Sequence, residues 1–202
     1  MRRSLVLLVA AGALVAGCSG TKNGTASSEP SYTTGAGSPS TTSAANGSSG
    51  SAPKVSNPLK TSSIESDACA ALSAAKRAEL GLGEGEPGTT SAGPGCSLFA
   101  ADEKLNQIDI SPVIANKNGL SDVYDTKANN EYFEPTEVGG YPAVYAASLD
   151  HRKKGKCGLF VGVTDQLSVN ILVQYDRGPG ASEPCPVALK VGEAMIQTLK
   201  EG

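Results

Sequence analysis

The 202-residue chain has no tryptophan and a single histidine, and its aromatic residues make up 4% of it. One histidine, His151, leaves a single side chain whose ordinary pKa lies near neutrality, and it excludes a histidine-rich metal centre. Charge of neither sign dominates: 17 Lys and Arg stand against 20 Asp and Glu. This mild acidity is spread without blocks, so the basic face that a nucleic-acid partner requires is missing. No apolar run reaches the roughly 20 residues that a membrane-spanning helix needs. No internal repeat is apparent, and no D-x-D-x-D-G loop for calcium or K-T-G element of a serine acylating enzyme occurs.

The one long apolar run, Leu5 to Gly17, follows Met1-Arg2-Arg3 and ends at Cys18. A short positive segment, a short apolar core and a small-residue boundary are the layout of a secretory signal peptide. Val15-Ala16-Gly17-Cys18 resembles the lipobox of bacterial lipoproteins. That resemblance implies a diacylglyceryl group on the Cys18 thiol and cleavage before it. The expected organisation is a signal over residues 1–17, a tether over 18–61 and a globular domain over 62–202. Two or more acyl chains anchor stably, where one binds only reversibly. The expected location is therefore the outer face of the cytoplasmic membrane, with the membrane as first partner and an envelope protein, lipid or wall fragment as second. Loss of Arg2 and Arg3 with the leader takes the net charge from −3 to −5, because residues 1–17 contain no acid.

From Ser19 to Lys60, 35 of 42 residues are Ser, Thr, Gly, Ala, Asn or Pro. Such a segment buries too little apolar surface to offset its ordering entropy. As a Gly/Ser-rich coil it would reach roughly 35 to 40 Å.

With Cys18 assigned to the anchor, Cys69, Cys96, Cys157 and Cys185 form an even set suited to an oxidising compartment. Four cysteines allow three connectivities. Cys69–Cys96 with Cys157–Cys185 is the preferred pairing, since each bridge closes a loop of moderate length within one local unit. No pair has metal-ligand spacing, so neither a metal nor a cofactor is expected.

Hydrophobic spacing predicts an α+β domain. A short helix begins at Ser66, and a second, capped by Ser73, is stopped by Gly81. Strands are expected over Cys96–Phe99 and Asn106–Ile110, then a helix capped by Ser121 running to Ala128. Val138-Gly139-Gly140-Tyr141 signals a tight hairpin. Cys157–Val163 and Leu167–Tyr175 form the strongest strand pair. Val187, Val191, Met195 and Leu199 mark the buried face of a final helix from Pro184 to Lys200. The expected sheet is antiparallel, of five to six strands, with helices at both ends of the domain and two disulfides.

Asp67-Ala68-Cys69-Ala70-Ala71-Leu72, Glu79-Leu80-Gly81-Leu82-Gly83, Gly95-Cys96-Ser97, Val138-Gly139-Gly140-Tyr141-Pro142-Ala143 and Pro184-Cys185 occur in this order. In this order, with the four cysteines and the lipobox, they resemble the actinobacterial lipoproteins of domain-of-unknown-function family 3558. The resemblance implies the fold, the disulfides and the location, and it carries no catalytic residue.

Chemistry sought directly gives four candidates. Ser73-Ala74-Ala75-Lys76 matches S-x-x-K, but Ser121-Asp122 is followed by Val123, so S-D-N is incomplete. Gly81-Leu82-Gly83-Glu84-Gly85 follows a helix rather than a strand and lacks phosphate-loop spacing. Asp150-His151-Arg152-Lys153-Lys154-Gly155-Lys156 is a basic cluster that could meet anionic headgroups. Glu131, Glu134 and Glu137 are acids without a calcium or hydrolase pattern. A non-catalytic binding or interaction module is the expected function, and an envelope hydrolase with a site assembled from distant residues is the alternative.

Overall fold

A computed structural model describes residues 51–202. The expected signal, Cys18 and most of the expected tether lie outside the described residues. Seven antiparallel strands form one sheet: β1 (Glu86–Thr90), β2 (Gly93–Phe99), β3 (Gln107–Pro112), β4 (Tyr132–Val138), β5 (Tyr141–Ala147), β6 (Lys156–Gly162) and β7 (Ser168–Gln174). Their order, β1-β2-β3-β7-β6-β5-β4, joins two meanders through the β3–β7 pair. The α-helices among the described residues are α1 (Ser62–Ser66), α2 (Ala74–Glu79), α3 (Leu120–Asp125), α4 (Pro179–Ser182) and α5 (Pro184–Glu201), and short 3₁₀ turns join some of the elements.

The sheet has one strand more than the expected five to six. The addition is β1, whose Glu86-Pro87-Gly88 start shows no alternation and pairs only with β2. Proline is tolerated there because an edge strand leaves its outer N–H groups without ladder partners.

Alternation divides β6 and β7 cleanly. Cys157, Leu159 and Val161 on β6, with Val169, Ile171 and Val173 on β7, point to one face and are completely buried. Val191, Met195 and Leu199 of α5 cover that face as expected, with Ala188 buried where Val187 was expected to be and Val187 itself only half-buried beside it. Repetition at every third and fourth residue brings these side chains onto one stripe of the helix, which is why the final helix was legible. Both disulfides sit on this side: Cys69–Cys96 ties the 3₁₀ turn Ala68–Ala71 to β2, and Cys157–Cys185 ties β6 to the first turn of α5.

The local signals hold in part. Gly139 and Gly140 turn β4 into β5 with φ of 59° and 89°. Two successive positive φ values suit glycine and match the twist of the flanking strands. Ser73 caps α2, its Oγ accepting from Lys76 N at 3.3 Å. Ser66 does not cap the helix expected after it: it ends α1, and its Oγ donates back to Ser62 O and Ser63 O. Asp67 does the capping, accepting from Cys69 N at 2.9 Å over a single 3₁₀ turn, Ala68–Ala71. A carboxylate accepts a backbone N–H as readily as a hydroxyl does, and Asp67 stands one residue closer to the turn. Ser121 is not a cap either. α3 starts one residue earlier from Gly119 and ends at Asp125, and the Ser121 hydroxyl accepts from Ala52 N at 3.3 Å.

Packing begins before the expected tether boundary at residue 61. Ala52 and Val55 are buried, Val55 N donates to Asp165 Oδ1 at 3.0 Å and Leu59 N to Val163 O at 3.0 Å. Tyr141 holds the same strap by donating its hydroxyl to Asn57 O at 2.9 Å. Few apolar residues suffice because the strap lies along existing strand ends and borrows their hydrogen-bonding groups.

Candidate functional site

The second face of the sheet is incompletely covered, and the opening is the candidate site. Along β7 the residues alternate with the core set as Ser168, Asn170, Leu172 and Gln174, so they face away from α5. α3 covers one end of this face, where Leu120 and Val123 pack with Ala52, Val144 and Ala146. At the other end a polar group is closed upon itself. Asp109 accepts from Ser97 Oγ at 2.6 Å, Gln107 Nε2 at 2.7 Å and Gln174 Nε2 at 3.1 Å.

Between these zones lies a cavity of about 410 Å³. Its floor is Ala146 on β5, Gly158 and Phe160 on β6, and Asn170 and Leu172 on β7. In register, Gly158 faces Leu172 and Phe160 faces Asn170. Gly158 leaves the floor flat: a Cβ there would stand 2.7 Å from Ala146 O. Its N–H donates to the Tyr132 hydroxyl at 3.1 Å. Burial holds the Tyr132 hydroxyl above the usual tyrosine range, so it remains protonated at neutral pH. The wall is the loop and helix around α3, with Asn116, Val123 and Thr126, and the far rim is the β1–β2 turn at Ser91 and Ala92.

One charged residue lines this cavity, Asp122. Its carboxylate is engaged by the wall itself, accepting from Lys117 N at 2.8 Å, Asn118 N at 3.0 Å and Asn118 Nδ2 at 2.8 Å. Those bonds, led by the backbone N–H of Asn118, hold its pKa below the usual carboxylate range. A depressed folded-state pKa contributes stability that is present above the unfolded value of about 3.9 and is lost as pH falls through the folded value. Asp122→Ala is therefore expected to lower stability by about 1 kcal/mol at neutral pH. The difference from the parent should begin to shrink below about pH 4 and close as the pH falls through the folded-state value, as read by thermal melts over an acid series.

Asn170 is the exception among the polar groups of the floor. It is 6% exposed, lies on the central strand β7, and its side-chain amide opens onto the cavity without a hydrogen bond to any described residue. Its neighbour on β3, Ser111, is engaged with the Thr90 hydroxyl. Ser168 Oγ, on the same sheet face beside Gly162, is the one buried side-chain polar atom without a partner among the described residues, but it does not line the cavity. A larger cleft of about 530 Å³ lies between Thr61, Ile114 and Gln166. Ile114, Lys117 and Gln166 in its walls are exposed, so it offers little enclosure.

The sequence candidates fall elsewhere. Ser73 and Lys76 do not pair as nucleophile and base: Lys76 Nζ bonds Glu79 at 2.9 Å, and Ser73 is a helix cap. Gly81 to Gly85 is a connecting loop between α2 and β1. Gly85 passes directly over the Cys69–Cys96 bridge, where a Cβ would come within 2.9 Å of Cys69 Sγ. In the basic cluster, Arg152 is saturated by carboxylates, with Nη2 to Asp150 Oδ2 at 2.7 Å and Nη1 to Glu134 Oε1 at 2.8 Å. Its guanidinium also lies 4.2 Å over the Tyr132 ring. The side-chain bonds from Arg152 hold Asp150 down to about 2. Glu131 accepts from Asp150 N at 2.6 Å. Glu131 and Glu134 thus serve the β4 edge, and no calcium cage forms from them. Among the described residues no group of three His, Cys, Asp or Glu side chains could hold a metal ion.

Sequence reasoning missed Asn170 and the whole cavity. The available signal was one polar residue in mid-strand, between Val169 and Ile171.

No curated protein and no solved structure matches the chain. One family model does, described as a protein of unknown function (DUF3558), over residues 13–198. The match runs from the apolar run through the sheet to the last turn of α5, and the chain belongs to the DUF3558 family.

Proposed function

We propose that the chain is a lipoprotein anchored through Cys18 to the outer face of the cytoplasmic membrane, and that its folded domain binds a ligand of the cell envelope without transforming it. The observation that carries the binding reading is the cavity on the second sheet face. It combines an apolar floor with uncharged polar groups in a volume typical of ligand sites. The groups that catalysis would need are not assembled in it. Ser91 and Ser148 line it without a histidine, lysine or free carboxylate beside them, and the Asp122 oxygens are occupied. Its four described cysteines are all in bridges, which leaves none of them for thiolate chemistry. Two disulfides suit an exported domain, and the lipobox at Val15–Cys18 supplies the anchor. Attachment through the Ser/Thr/Gly-rich segment that follows Cys18 would hold the domain at high local concentration for partners near the membrane.

The test is native mass spectrometry of the full chain extracted from its own membrane in detergent. A small molecule retained in stoichiometric amount is the expected result. Turnover of an envelope substrate by the same preparation would replace this reading with that of a hydrolase.

A further inference from the structure

Building on the reading of the domain as a binding module, we infer that the cavity takes an uncharged ligand carrying a secondary amide, and that Asn170 is the residue that recognises it. Asn170 is more than nine-tenths buried, its side chain lines the cavity, and its side-chain amide meets the cavity without a hydrogen bond to any described residue. An amide that opens onto a cavity with no protein partner takes its hydrogen bonds from whatever fills that cavity, water or a ligand. A ligand of complementary chemistry can supply those bonds in place of water.

The chemistry of the ligand follows from what surrounds the amide. A carboxamide presents an acceptor and two donors in one plane. A secondary amide presents the complementary N–H and C=O and can satisfy both kinds of group. A carboxylate or phosphate brings no donor, and it would meet no cation, since the one charged residue in the lining is Asp122. A cationic ligand fares little better, because both Asp122 oxygens already accept from Lys117 and Asn118. Ala146, Phe160 and Leu172 in the floor suit the apolar part of the molecule. About 410 Å³ accommodates something the size of a disaccharide or a dipeptide. Two sources share this chemistry: an acetamido sugar and a short neutral peptide.

Calorimetric titration of the full chain in detergent separates them. The probes are N,N′-diacetylchitobiose, N-acetyl-dialanine methylamide, cellobiose as a disaccharide without the amide, and acetate as an anion. Binding of at least one amide probe is expected, and the tighter of the two identifies the source. Asn170→Leu, close in volume, should weaken it by about tenfold or more, the equivalent of one good hydrogen bond. Asn170→Ala, which adds no volume, serves as the second variant and should do the same. Without ligand, Asn170→Leu should melt at the parent temperature or above it, because an unpartnered polar group has been replaced by an apolar one. A structural asparagine would show the opposite, a fall of several degrees, and that result overturns the inference. So does equal binding of cellobiose or acetate, unchanged affinity in both variants, or no binding of either amide probe at millimolar concentration. If the native chain still retains another molecule in any of these cases, the ligand class fails and the binding reading stands. Cleavage of a probe would reject both.

Discussion

Replacing Cys157 and Cys185 together with alanine is expected to lower the stability of the domain by roughly 3 to 4 kcal/mol. The bridge spans 28 residues and joins a fully buried position on β6 to the first turn of α5. On the chain-entropy account the loss is that of freeing this loop in the unfolded chain. The native state also loses the clamp on the start of the helix that covers the core, while Val191, Met195, Ile196 and Leu199 continue to hold its later turns. For a domain of this size the midpoint of thermal unfolding should fall by roughly 10 °C. Thermal melts of parent and variant under oxidising conditions measure the shift, and guanidinium titration measures the free energy. Replacing Cys69 and Cys96 should cost a similar amount, because that loop spans 27 residues and Cys96 is equally buried. An unchanged midpoint in either variant would show that packing alone holds these segments.

The second large effect concerns location. In the Cys18→Ser chain the hydroxyl is too poor a nucleophile to receive the diacylglyceryl group. The expected product is a precursor that keeps residues 1–17 and carries no acyl chain. Intact-mass measurement distinguishes the two forms directly, since acylation adds mass where retention of the leader adds a different, calculable amount. A variant cut before residue 18 and still acylated would remove the basis for the proposed anchor. The outcome also bears on function: if Cys18→Ser chains bind the ligand in solution but fail in the cell, the tether serves to place the cavity at the membrane.

Much of the architecture could be read from local patterns, because those patterns have local physical causes. The Gly139-Gly140 pair needs only its own backbone freedom to close a hairpin. Val191, Met195 and Leu199 fall on one side of α5 through helical periodicity alone. The pairing Cys69–Cys96 and Cys157–Cys185, preferred on loop length, is the one formed. Membership of the DUF3558 family, shown by the match over residues 13–198, was legible in short motifs and their order.

Errors arose where a residue had two local uses and distant contacts chose between them. Ser121 is a good cap by type, yet its hydroxyl receives the N–H of Ala52, far away in sequence. Residues 52 to 60 have the composition of a coil, but the exposed ends of strands and loops near Asp165 and Val163 offered acceptors that composition does not reveal. β1 carries no alternating pattern and exists because β2 presents it with an open edge.

By itself the sequence determined the cysteine framework, the α+β class and the final helix from patterns along the chain, and the family from short motifs that resemble it. Only the tertiary structure decided the cavity and the standing of Asn170. Its strand places it between Ser111 on β3 and Phe160 on β6, two residues from segments far apart in sequence. Ser111 is already engaged with Thr90, and Phe160 has no polar atom to offer. Whether a buried amide has a partner depends on which strands lie beside it, and strand order is settled only when the whole sheet closes over one core.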